Sequence, residues 1–155
     1  MPKKPTTADA ELILKLYEAR REAELRKARQ WWVGIFWPNT VDDVLQVTRS
    51  TGQENAWYRM VLGYWNMASS FVLHGALNED LFMEPAFSGE MYFIYAKLKP
   101  ILKDIREKMQ NPQFLANVEK LITRSKTGRD RLAMIQKNVE ARRKAVAEAA
   151  AAKAS

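Results

Sequence analysis

The sequence predicts an all-α protein: an irregular bundle of five to seven helices, with a long N-terminal helix and a projecting Ala-rich C-terminal helix. Three observations predict it. Apolar residues recur three and four apart along most of the chain, the spacing that lines one face of a helix. Helix start and stop signals recur, whereas strand-like alternation is nearly absent. Six Gly and six Pro fall mostly between the periodic segments, where they end helices. At 155 residues with 47% hydrophobic side chains, the chain can bury the core of one domain with helical extensions, and it is too short for two ordinary enzyme domains.

The first helix is expected to start between Thr7 and Asp9 and to run to about Phe36, where Trp37-Pro38 stops it, because the residue before a proline is pushed out of the helical region. Leu12, Leu16, Ala19, Ala23 and Ala28 make its thin apolar stripe, which broadens into the aromatic run from Trp31 to Trp37. Three Thr-x-x-acid boxes read as helix starts in which hydroxyl and carboxylate bond reciprocally to backbone N–H groups: Thr40 with Asp43, Thr51 with Glu54, and Thr127 with Asp130. They place a short second helix from about Val41 to Ser50 and a third from about Gln53 to His74. The third ends at Gly75, a residue suited to the left-handed position after a helix. Apolar on more than one face, it is the expected centre of the bundle. Asn78 caps a short turn over residues 79–82 that Pro85 closes.

Ser88 caps a long helix to about Gln110, with Met91, Ile94, Leu98, Ile101, Ile105 and Met109 inward and a kink with one lost hydrogen bond at Pro100. Asn111-Pro112 opens a helix over residues 113–124. From Gly128 the chain carries Leu132, Ile135, Val139 and Val146 at heptad-like spacing. After Ala145 it is nearly all Ala, Lys and Glu, which favours helix but leaves little to bury. The domain reading is a disordered N-terminus over 1–8, a helical domain over 9–126 and a helical extension over 127–155, frayed at its end.

No apolar segment follows Lys3 and Lys4, so no secretory signal is expected and the cytoplasm is the default location. Met60 to Leu77 carries no charge and just reaches spanning length, but Asn66, Ser69, Ser70 and His74 interrupt it, as in a buried core helix. The net charge of +7 is uneven: residues 38–87 carry −4, and the flanking segments are basic. In the first helix Glu18, Glu22 and Glu24 alternate with Arg20, Arg21, Arg26 and Lys27, the pattern of a solvated face rather than of a nucleic-acid recognition element. Opposite signs also let basic terminal helices lie over the acidic centre, in the same chain or in a neighbour.

With no Cys, the chain has no disulfide, thiolate nucleophile or Cys-ligated metal. Its single His, His74, stands near Asn78, Glu79, Asp80 and Glu84, short of the converging ligands that a metal site needs. No Gly-rich phosphate loop and no G-x-S-x-G elbow occurs. No catalytic, metal or cofactor residue is therefore assigned. The aromatics are the remaining signal. Trp31, Trp32, Phe36 and Trp37, with Leu132, Ile135 and Val139 of the last segment, form a candidate interface, since aromatic anchors concentrate at such surfaces. Tyr64, Trp65, His74 and Tyr92 are a candidate pocket between helices.

The segment from Tyr64-Trp65-Asn66-Met67-Ala68 to Gly75-Ala76-Leu77-Asn78-Glu79-Asp80-Leu81-Phe82 resembles that of bacterial proteins containing a domain of unknown function, with the pattern Y-W-x-M-A…G-x-L-x-E-x-L-F. The resemblance extends through Tyr95 to Pro100 and Asn111-Pro112, over roughly residues 55–122. It implies a small helical domain and brings no catalytic residues. The expected role is a soluble interaction or assembly module without catalytic activity, a homodimer or the partner of another helical protein. A protein of the membrane surface or of nucleic acid, contacting it through the basic flanking helices, is the alternative; a small-ligand-binding helical protein is the second.

Overall fold

The computed structural model describes residues 3–155 and is all-α, with no strand among them. The order is α1 (Thr7–Ala19), α2 (Ala23–Gly34), α3 (Val41–Arg49), α4 (Gln53–Leu73), α5 (Glu79–Phe82), α6 (Pro85–Leu98), a 3-10 turn over Lys99–Ile101, α7 (Leu102–Lys108), α8 (Ala116–Thr123) and α9 (Lys126–Ala154). The helices exceed the expected five to seven because two long predicted segments are each broken, one at Arg20 and one at Pro100.

The first break has no Gly or Pro behind it. Arg20 turns inward, where its guanidinium donates to the Phe87 carbonyl (3.3 Å) and lies over the Trp65 ring (5.3 Å). Tyr64 takes up the carbonyl of Leu16 that the break leaves near the end of α1, with its hydroxyl donating at 2.5 Å. Glu22 then starts α2 by accepting from the N–H groups of Glu24 and Leu25. The long first helix of the sequence reading is thus two helices, bent around a buried arginine.

At Pro100 the expected kink is a full turn of 3-10 helix. Proline lacks the N–H that would bond the Ala96 carbonyl, and Gln136 of α9 donates to that oxygen at 3.0 Å. Arg143, about two turns further along α9, donates to the Lys97 carbonyl at 2.8 Å. α9 therefore closes the gap in the α6–α7 rod, and Leu132 and Val139 are buried in the core. The boundary drawn at 126/127 cuts through this packing: the first half of α9 belongs to the domain, set against α6 and α8.

The caps are partly those expected. Thr40 and Asp43 make the reciprocal box, as do Thr6 and Asp9 one residue ahead of the expected start of the first helix. Gly52 rather than Thr51 precedes α4, and Ser125 rather than Thr127 caps α9. Pro85 opens α6 instead of closing α5, and Ser88, one turn inside, donates back to the Met83 and Glu84 carbonyls. Gly75 has φ 77° after α4, as its position required. Met1 and Pro2 of the expected disordered N-terminus lie outside the described residues. The rest of that segment is tied down: the Lys3 carbonyl accepts from the Asn78 side chain, and Asp9 accepts from the Asn78 N–H (2.8 Å).

α4 is the central helix, packed against α2, α3 and α8. Its Trp65 is anchored by Glu90 of α6, which accepts from the indole N–H at 3.0 Å and from Arg29 of α2 at 2.7 Å, with Arg20 at 3.9 Å. One carboxylate thus ties α2, α4 and α6 together from inside. No helix among the described residues is long and apolar enough to cross a membrane.

Candidate functional site

The residues read as an interface are not one patch. Trp31, Trp32 and Phe36 are inside the chain's own core: Phe36 folds back after α2 to stack on Trp31 (4.5 Å between centroids), and Trp32 stacks on Tyr58 of α4 (5.5 Å). Leu132 and Val139 line the seam of α9 against α6 and α8. Only Trp37 and Ile135 keep partial exposure. Five of the seven residues are core because a chain this small needs its largest apolar side chains inside, where each buries far more surface than at a rim.

The predicted pocket is likewise not assembled. Tyr64 and Trp65 are committed to Leu16 and Glu90. His74 is exposed at the end of α4. Tyr92 lies under the Arg131 guanidinium, 4.2 Å from its centroid, beside a separate hollow near α5 and the start of α9. Among the described residues no group of three or more His, Asp or Glu side chains could hold a metal ion.

Two features went unpredicted. One is Lys97, fully buried in α6. Its ammonium donates to the Trp32 carbonyl, which the irregular end of α2 leaves free, because Phe36 N–H reaches back to Trp31 instead. The Trp37 ring lies 3.8 Å away and Phe93 at 5.2 Å. Burial, and then the nearby Arg143 and Arg142, push its pKa down to about 7. The signal was present in the sequence: position 97 falls on the apolar stripe of α6, three residues after Ile94 and four before Ile101.

The other feature is a cleft of about 370 Å³ between α3, α4 and the turn that joins α7 to α8. Tyr58 and Asn66 of α4 line it, and the Tyr58 hydroxyl and Asn66 Oδ1 are buried without a hydrogen-bond partner. Tyr58 is held rigidly, stacked on Trp32 on one side and facing Phe114 on the other (6.4 Å, 7° between planes). Asn55, also in the lining, spends its amide N–H groups on the Thr48 and Ser50 carbonyls (3.1 and 2.7 Å), which fixes α3 to α4. The opposite wall, residues 109–115, contains Gln110 and Leu115 at φ 51° and 55°. Arg106 clamps this wall with two bonds to the Phe114 carbonyl (3.0 and 2.9 Å) and an ion pair to Glu119 (3.2 Å). Non-glycine residues at positive φ cost energy and persist where surrounding bonds hold them. The cleft is therefore preformed, and the two unpartnered atoms are closed off beneath its lining.

The family model described as a domain of unknown function, DUF4760, matches residues 5–125. The chain belongs to this family. The match spans α1 to α8 and ends where α9 begins, so the cleft lies wholly within the family domain, and α9 follows it. No curated protein and no solved structure matches the chain.

Proposed function

We propose that this protein is a non-catalytic assembly module whose docking element is the distal part of α9, and that it works in the cytoplasm as a homodimer or bound to another helical protein. The observation that carries this reading is the way α9 leaves the domain. Arg143 makes the last tertiary bonds, to the Pro38 and Lys97 carbonyls. From Lys144 to Ala154 the helix continues for about 16 Å with every residue exposed except the half-buried Val146. Its Ala side chains permit close approach of a second helix, and the docked first half supplies the nucleus that an isolated Ala-rich segment lacks.

The alternatives draw less support. The arm has no Trp, Phe or Leu to insert at a lipid interface. Several arginines that phosphates would need are already bonded: Arg106 to Phe114 and Glu119, Arg124 to Glu79, Arg131 to Met83 and Ser88. Light scattering tests the reading. The full chain is expected to be dimeric at high micromolar concentration, and a chain ending at Arg143 to be monomeric with an unchanged melting temperature. A full chain that stays monomeric, alone and with lysate proteins, refutes it.

A further inference from the structure

The hollow between the start of α9 and the α5–α6 corner holds about 460 Å³, and its two sides differ in charge. It lies at the opposite end of α9 from the arm and rests on nothing in the assembly reading. Glu79 and Asp80 of α5 line the first side. Glu79 is already held by the Arg124 guanidinium at 3.0 Å. Asp80 is exposed and has neither an ion pair nor a hydrogen bond among the described residues, so its carboxylate is open to a cation.

The other side, formed by α6 and α9, is one of donors. Tyr92 is 1% exposed, and its hydroxyl donates to nothing among the described residues, whereas Tyr64 and Tyr95 donate to the Leu16 carbonyl and to Glu119. Nor is that hydroxyl closed off, as the hydroxyl of Tyr58 is. Burial pushes its pKa up, so it keeps the proton it can donate. Arg131 lies over the ring and spends only Nη1, on the Met83 carbonyl (2.9 Å) and the Ser88 hydroxyl (2.8 Å). It forms no ion pair among the described residues, and a half-buried guanidinium without a counter-charge favours an anion beside it. The first turn of α9 adds Thr127 and the partial positive charge of a helix start. Gly128 holds that turn in place: a Cβ there would collide with the Ile122 carbonyl oxygen, so α9 begins pressed against the end of α8.

A negative side and a donor-rich positive side call for a ligand that carries both charges. We propose that this hollow binds a free α-amino acid with an apolar side chain. The ammonium sits against Asp80, the carboxylate accepts from the Tyr92 and Thr127 hydroxyls beside Arg131, and the side chain lies on Met83 and Pro85. The volume is that of a small-ligand site.

The probe is L-leucine, titrated into the isotope-labelled full chain and followed by amide chemical shifts. Shifts confined to residues 79–92 and 125–131 are expected. 4-Methylpentanoate is the same skeleton without the ammonium, and 3-methylbutylamine is the skeleton without the carboxylate. Each should bind at least about tenfold more weakly than leucine, because one side of the hollow is then left without its partner. Two variants divide the contacts. Asp80→Asn should weaken leucine about tenfold and leave 4-methylpentanoate unchanged. Tyr92→Phe keeps the ring under Arg131; it should weaken leucine and 4-methylpentanoate several-fold and leave 3-methylbutylamine unchanged. Both variants should keep the wild-type melting temperature, so that lost binding is not lost fold. Absence of shifts around the hollow at millimolar leucine, the result if it holds water only, overturns the proposal. So does either half-molecule binding as tightly as leucine, or undiminished leucine binding by Asp80→Asn.

Discussion

Lys97 shows how one side chain can carry a cost inside a core. Its ammonium caps the free carbonyl of Trp32 among aromatic rings, and the charged groups facing it are Arg142 and Arg143 of α9, both of like sign. Its native pKa of about 7 lies below the 10.5 of an unperturbed lysine. Between these values the unfolded chain binds more protons, so this residue makes stability rise with pH, by up to about 1.4 kcal/mol per unit. Lys97→Met removes the titration. Urea unfolding of the wild type at pH 7 and pH 9 should show a gain at the higher pH that the variant lacks; equal slopes would mean that Lys97 does not titrate there. Glu90 is the opposite case, a buried carboxylate satisfied by Arg29, Arg20 and Trp65. Glu90→Ala leaves two inward arginines and an indole N–H without their acceptor and should cost about 3 kcal/mol in the same measurement. In the sequence Lys97 shows only its place on an apolar stripe, and Glu90 is an acid three residues after Phe87. What makes them structural is the set of groups that three other helices bring to them.

At the scale of elements, the position of most helices was legible and the way they end was not. The spacing of Trp57, Val61, Trp65, Ala68 and Val72 marks α4, and Gly75 stops it where expected. Thr40 with Asp43 and Asn78 with Leu81 cap the helices they were expected to cap. The break at Arg20 was invisible because its cause, the buried Phe87 carbonyl and Trp65 ring, is more than forty residues away in the chain. Pro100 announced a kink, but not that α9 would repair it. Gln136→Leu keeps the side chain's bulk and removes the donor to the Ala96 carbonyl, so it should cost about 1–2 kcal/mol, and hydrogen exchange in α6 and α7 near the kink should accelerate. A variant as stable as the wild type would show that water replaces the bond. The cleft follows the same rule: Tyr58 to Asn66 reads in the sequence as core helix, and only the clamped 109–115 turn opposite it makes a cleft.

For the whole molecule, charge separation proved to be less a matter of ion pairing than the sequence suggested. The basic α9 does not neutralise the acidic centre; among the described residues its ion pairs are local, Lys126 with Asp130 and Arg143 with Glu140. Its longer reaches end on backbone carbonyls of Met83, Pro38 and Lys97. Truncation therefore separates two roles of α9. A chain ending at Ser125 exposes the faces that Leu132 and Val139 cover and loses the Gln136 and Arg143 bonds, and it should unfold at a clearly lower temperature. A chain ending at Arg143 should melt like the full protein; equal melting of all three would show that α9 adds nothing to the core. The sequence by itself determined the all-α class, the central place of α4 and most helix positions, because these rest on local periodicity, caps and breakers. Tertiary structure alone decided that Trp31, Trp32 and Phe36 are core, that α9 is half domain and half arm, and that α4 and the 109–115 turn enclose a cleft. Those outcomes depend on which distant groups meet, and on which polar atoms are left without a partner once they have met.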